Sequence, residues 1–294
     1  MKVEFNEKTK QWEQLPLRSK EGMYLDGRLK RKLDAIREIQ KKDWDCVFLI
    51  DGMEGSGKST LGKSCAWYLS DKNFTKDNFC VNTKQAIQKL GTFPDESVLV
   101  IDEGDIAFSS KRVWDMEQQR LIELIKVIRY KKMILIIIAP SFFDLNRGIA
   151  IRRSRFLLHV YTDKKLTRGR FAYFGQKKKE KLFLIGKKNF NSYSKPRSDF
   201  VGGFTNFKVL EDEYQKIKQE IVDNLIKEKE PVTKNITLLR LEYRITKVIG
   251  KTIMKREELA KILGVDGSTI SKWKNLPKKY PFVLENKGFI RDWE

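Results

Sequence analysis

The sequence predicts an α/β fold with a mainly parallel sheet, and three observations carry that prediction. Short, continuously apolar runs alternate with helix-length segments along residues 46–139, as strands buried on both faces of a parallel sheet do. The first run, Cys46–Asp51, leads directly into Gly52-Met53-Glu54-Gly55-Ser56-Gly57-Lys58-Ser59, a G-x-x-x-x-G-K-S turn. Such a turn belongs between a strand and a helix. A later apolar run, Ser97–Ile101, ends in the adjacent carboxylates Asp102 and Glu103.

Taken in order, residues 1–45 are polar and carry one expected helix, Arg28–Lys42, an N-terminal helical extension. The core is expected over 46–205. It opens with strand Cys46–Asp51, helix Lys58–Ser70, short strand Phe79–Val81 and helix Thr83–Leu90. Strand Val98–Asp102, helix Asp115–Tyr130 and strand Met133–Ala139 follow. Within helix Asp115–Tyr130, Leu121, Leu124, Ile125 and Ile128 recur at i, i+3, i+4 and i+7, the spacing of a face packed on a sheet. After the strand-like Phe156–Tyr161, two short strands, Arg170–Phe174 and Lys181–Ile185, are expected to form a β-hairpin with a basic tip. Residues 189–205 read as a loop. A polar helix from Val209 to Lys229 and a linker at Glu230-Pro231 occupy 206–231, leaving 232–294 as a separate module.

Charge divides the chain as sharply as pattern does. The formal net charge is +21, which calls for a polyanionic partner. Residues 126–190 hold 18 Lys/Arg against 3 Asp/Glu, whereas 46–125, with both motifs, hold 9 against 12. Two ligands are implied, one at a near-neutral site and one on a basic surface. Cys46, Cys65 and Cys80 lack metal-ligand spacing and read as core thiols in a reducing compartment. His159 is the single histidine, so a histidine-based metal site is excluded and a structural role is expected. The N-terminus lacks the pattern of a signal peptide, and the longest apolar run, Met133–Pro140, is too short to span a bilayer. A soluble cytoplasmic chain without a membrane partner is expected.

The chemistry of the glycine-rich turn is specific. Gly52, Gly55 and Gly57 let the backbone curl so that its N–H groups, with Ser56 and Thr60 in the same turn, face a phosphate chain. Lys58 reaches the β- and γ-phosphates of ATP, and the Ser59 hydroxyl ligates Mg²⁺. Asp102 is placed to hold the Mg²⁺ water shell beside Ser59, and Glu103 to polarise a water for attack on the γ-phosphate. This pairing resembles the additional-strand, catalytic-glutamate division of P-loop ATPases. It therefore implies a P-loop NTPase core with hydrolysis by water. Together with Arg129-Tyr130-Lys131-Lys132, the run Ile134–Ser141 and Asp144-Leu145-Asn146-Arg147, the motifs resemble mobile-element ATPases of the zonular-occludens-toxin-like and FtsK/HerA-type families. The resemblance covers roughly residues 44–165. It departs at Ala139-Pro140-Ser141, where those families commonly carry a glutamine-containing segment.

That resemblance implies a homo-oligomeric ring in which an arginine completes the neighbour's site. Arg129, Arg147, Arg152 and Arg153 are the candidates, with Arg155 beside them as a phosphate contact. Ser141, the first polar side chain beyond the fourth strand, is the γ-phosphate sensor candidate. Arg168, Arg170 and Lys177, Lys178 and Lys179 are expected to meet the DNA backbone from the hairpin, though a hydrophobic face with a charged edge would read the same.

Residues 256–274 resemble a helix-turn-helix. Leu259, Ala260 and Leu263 face inward, Gly264 permits the turn, and Ser268, Thr269, Ser271, Lys272 and Lys274 are free to meet DNA. A protein-binding or oligomerisation module would also fit. The leading expectation is a viral ATP-driven motor that moves or packages double-stranded DNA, with capsid or portal components as further partners. A nucleoside or nucleotide kinase and an ATP-controlled DNA-binding regulator or replication loader are the alternatives.

Overall fold

The computed structural model describes residues 1–228 except 18, 20, 21, 103–107, 109–115, 164 and 208. Glu103 and the whole C-terminal module, with Ser268, Thr269, Ser271, Lys272 and Lys274, lie outside the described residues. Residues 1–218 form one compact unit, and the chain from Gln219 onward belongs to a second.

A seven-stranded sheet organises the first unit. Its strands are β4 (Cys46–Gly52), β5 (Phe79–Cys80), β6 (Val98–Ile101), β7 (Ile134–Ala139), β8 (Phe156–Tyr161), β9 (Arg170–Gly175) and β10 (Phe200–Gly203). They lie in the order β10-β9-β8-β4-β7-β6-β5. The five from β8 to β5 run parallel to one another, while β9 and β10 are antiparallel additions at one edge. Among the described residues the α-helices are α1 (Gly27–Gln40), α2 (Lys58–Leu69), α3 (Thr83–Thr92), α4 (Met116–Val127), α5 (Gln176–Lys188) and α6 (Glu211–Glu228).

Alternation along β4 shows how the layers form. Phe48 and Ile50 join Leu29 and Leu33 of α1 and Leu61 and Cys65 of α2 in one apolar cluster. Val47 and Leu49 join Ala86 of α3, Leu121 and Ile125 of α4 and Leu182 and Phe183 of α5 in the other. The sheet is thus covered on both faces, which accounts for strands that are apolar at every position. Leu121, Ile125 and Ile128 are buried as the helical spacing predicts. All three cysteines are buried, and burial pushes each thiol up to about 12.

Three expectations are corrected. Lys181–Ile185 is not a strand: Gln176–Lys188 is helix α5, so the basic hairpin does not exist. Its buried positions, Lys179, Leu182, Phe183 and Gly186, fall at helical spacing, and Lys, Glu and Leu are strong helix formers. β9 pairs instead with β8. Secondly, Phe200–Gly203 is strand β10, recruited from the expected loop by pairing with β9. Thirdly, residues ahead of α1 are not merely polar. Strands β1 (Lys2–Asn6), β2 (Gln11–Leu15) and β3 (Met23–Tyr24) form a separate antiparallel sheet in the order β2-β1-β3. The Trp12 indole N–H donates to Asp71 Oδ1 at 2.8 Å, tying that sheet to the end of α2.

Candidate nucleotide site

The glycine-rich turn lies between the end of β4 and the start of α2. Gly52, Gly55 and Gly57 take positive φ values of 143°, 73° and 102°. At Gly52 the requirement is absolute, because a Cβ would lie 2.0 Å from the Val160 carbonyl oxygen of β8. The first turn of α2 carries no acidic residue and no side-chain cap, so its backbone donors are left to the loop. Lys58 Nζ donates to the carbonyls of Gly52 at 2.8 Å and Met53 at 2.9 Å. Ser56 Oγ is buried without a hydrogen-bond partner. A buried hydroxyl lining a ring of backbone donors marks a polar cradle that a phosphate fits.

One strand away from β4, the end of β6 delivers Asp102 to the same place. The Ser59 hydroxyl donates to Asp102 Oδ2 at 3.3 Å, and Asp102 is 4% exposed. A hydroxyl and a carboxylate oxygen together suit Mg²⁺, a hard cation that keeps most of its waters. β7 lies between β4 and β6, so one strand separates the phosphate-loop strand from the carboxylate strand. This is the additional strand that the resemblance implies.

Beneath the loop lies a polar network that sequence reasoning missed. Asp51, fully buried, accepts from the Phe142 backbone N–H at 3.0 Å and from the Tyr193 hydroxyl. His159 Nδ1 sits 3.0 Å from its other oxygen, and the His159 and Tyr193 rings stack with centroids 3.6 Å apart. The Ser141 hydroxyl donates to Tyr193, while burial and the Asp51 charge raise the Tyr193 phenol far above its ordinary range. Ser141 therefore links the end of β7 to the residue preceding Gly52. Asp51 was legible as a carboxylate ending an apolar strand, but Tyr193, in an irregular stretch, offered no local signal.

The candidate arginines fall into distinct places. Arg168 follows a turn closed by Asp163, whose Oδ1 accepts from the backbone of Lys165 and Thr167 at 2.9 Å each. Its guanidinium lies 3.7 Å from where a Cβ on Gly55 would be, over the phosphate loop. Arg170 is exposed, 3.9 Å from Asp163. Arg129 and Arg155 lie ahead of β7 and β8, at the end of the parallel strands opposite the phosphate loop. Arg129, Arg147 and Arg152 are exposed, and Arg155 stacks over Trp44 at 5.5 Å.

Arg153 and Lys179 are corrected. Arg153 is held by Asp45 and by the Ile125 carbonyl, which removes it from the arginines able to reach a neighbour. Lys179 is fully buried, its ammonium donating to the Ser154 carbonyl and hydroxyl and to the Ile151 carbonyl. It closes the end of the Gly148–Arg153 helical turn rather than meeting DNA. Lys178 pairs with Asp199 at 3.0 Å, and Lys177 is exposed.

Sheet order, phosphate loop and the Ser59–Asp102 pair define a P-loop NTPase fold. No family model matches the chain, and no curated protein does. Among solved structures it is similar to the N-terminal domain of zonular occludens toxin from Neisseria meningitidis. There the identity is 14%, covering 57% of this chain and 98% of that one, at a TM-score of 0.40. It is also similar to B204, the DNA-packaging ATPase of Sulfolobus turreted icosahedral virus, at 15% identity, 46% and 94% coverage and a TM-score of 0.35. The cytoplasmic domain of the type VII secretion ATPase EccC from Thermomonospora curvata matches at 16% identity over 45% of this chain and 22% of that one, with a TM-score of 0.32. No helix among the described residues is long and apolar enough to cross a membrane.

Proposed function

We propose that this chain hydrolyses ATP to drive movement or packaging of double-stranded DNA as a homo-oligomeric ring, with a viral packaging machine as its setting. The observation that supports the reading best is the convergence of Lys58, Ser59 and Asp102 across the inserted strand β7. In this reading Lys58 binds the phosphates, and Ser59 and Asp102 hold Mg²⁺. The ion, when bound, offsets charge on the phosphates. Glu103 orients and deprotonates the attacking water, and the Ser141–Tyr193–Asp51 chain fixes the loop from below. Exposed arginines, Arg129, Arg147 and Arg152, are the groups offered to a neighbouring subunit. Polyanion binding is supported by the excess of 18 basic over 3 acidic residues in 126–190. DNA contacts by the module at 232–294, and capsid or portal partners, belong to the same proposal.

Steady-state ATP hydrolysis with and without long duplex DNA, at two salt concentrations, tests the reading. Stimulation by DNA that fades as salt rises is expected. Turnover indifferent to DNA, together with phosphorylation of a nucleoside or nucleotide, would replace the motor with a kinase.

A further inference from the structure

The first two turns of α6 reach the carboxylate oxygen assigned to the cation. Asp102 Oδ2 accepts from the Tyr214 hydroxyl and lies 3.6 Å from Lys218 Nζ, on the side-chain atom that also receives Ser59 Oγ. The helix is fixed there by contacts that do not involve Asp102. Glu211 pairs with Lys63 of α2, a side chain only 1% exposed. That same ammonium stands 4.5 Å over the Tyr214 ring, and Phe79 of β5 packs against the ring at 5.5 Å. A buried ammonium is tolerated only with a partner, so the Lys63–Glu211 pair anchors α6 to the helix that begins at the phosphate loop.

These contacts and a divalent cation need the same electrons. A carboxylate oxygen that accepts from a phenol and faces an ammonium is already charge-compensated. A dication bound beside Ser59 would meet the Lys218 ammonium as a like charge at short range. We infer that α6 is a built-in competitor for the cation position: Tyr214 and Lys218 set the Mg²⁺ requirement of the nucleotide site, and α6 lets go of Asp102 when Mg²⁺–nucleotide binds. Both are positioning residues, acting through Asp102. The inference rests on the nucleotide reading and adds to it that a helix outside the 46–205 core regulates the site.

The test uses the full chain, with Tyr214→Phe and Lys218→Gln made separately. Tyr214→Phe keeps the ring between Lys63 and Phe79, and Lys218→Gln keeps the phenol on Asp102 while removing an ammonium 5.6 Å over that ring, so the two variants perturb folding differently. Affinity for a fluorescent ATP analogue is titrated against Mg²⁺ and compared with affinity in EDTA, and hydrogen exchange is followed over residues 211–218. Half-saturating Mg²⁺ is expected to fall roughly three- to tenfold in each variant, the scale of a lost charged hydrogen bond or ion pair. Affinity in EDTA should not change. In the parent, exchange over 211–218 should quicken with Mg²⁺–nucleotide but not with nucleotide in EDTA. An unchanged or raised Mg²⁺ requirement, or exchange that ignores Mg²⁺, overturns the role of α6 while leaving nucleotide binding intact. Failure of the parent to bind nucleotide with or without Mg²⁺ overturns the nucleotide reading and this inference together.

Discussion

Two basic side chains that look alike in sequence are predicted to behave in opposite ways. Lys179 is buried, and desolvation lowers its ammonium from 10.5 to about 7, while three oxygens around Nζ work to keep the proton. The unfolded chain holds that proton up to the ordinary lysine range, so between these values the unfolded state binds more protons. Stability then rises with pH. Between pH 7 and 8.5 the gain from this group is at most about 2 kcal/mol, and the opposing loss from the raised thiols, which sets in as pH nears their ordinary range, is common to parent and variant. Thermal unfolding across that window should show the parent gaining stability relative to Lys179→Met; parallel profiles would mean that the ammonium is not perturbed. Arg168, exposed and over Gly55, has no ion-pair partner among the described residues. Arg168→Ala is expected to weaken ATP-analogue binding by roughly 1 kcal/mol, about fivefold, with stability unchanged. Loss of DNA affinity with nucleotide affinity intact would return Arg168 to the DNA-contact role that its basic neighbours first suggested.

At the scale of elements, what could be read in the sequence was set by how local the signal is. β4, α2, β6 and β7 announce themselves through apolar runs and a turn whose glycines have no substitute, and the structure places them within a residue or two of expectation. α5 was misread because Lys181–Ile185 is short and apolar, a pattern that strand and buried helix share. Its helical register becomes evident only when the buried Lys179 is counted as part of the apolar face. β10 and the small β1–β3 sheet depend on pairing partners, and Gly202-Gly203 carries no intrinsic strand preference. Of the candidate site, Lys58, Ser59 and Asp102 were legible from spacing alone. Tyr193 and Tyr214 were not, because each reaches the site from more than 100 positions away along the chain. Docking of α5 can be tested at Gly186, where a Cβ would lie 2.6 Å from both the Phe143 ring and the Ser192 carbonyl. Gly186→Ala should cost about 1–3 kcal/mol in urea unfolding, and Leu184→Ala, exposed on the same helix, less than about 0.5 kcal/mol. Equal effects would contradict this packing.

For the whole molecule, the arrangement of charge bears on how subunits would cooperate. The phosphate loop lies at the carboxyl ends of the parallel strands, whereas the exposed Arg129 and Arg152 precede β7 and β8 at the other end. An arginine at that end is poorly placed to serve the loop of its own chain, yet an exposed one is well placed to serve a neighbour in a closed ring. Guanidinium groups supplied in this way stabilise charge on the transferring phosphoryl group. Mixing two inactive proteins therefore discriminates. Lys58→Ala removes the phosphate contact but keeps the arginines, while the double variant Arg129→Ala/Arg152→Ala keeps the loop and loses the exposed basic edge. If an arginine acts between subunits, ATPase activity should reappear when the two are combined and allowed to exchange, since an intact loop then meets an intact arginine at some interfaces. Activity retained by the arginine variant alone would remove Arg129 and Arg152 from the reaction. Mixtures as inactive as their parents, with subunit exchange confirmed, would mean that each chain completes its own site, and would shift attention to Arg168, which lies over the phosphate loop of its own chain.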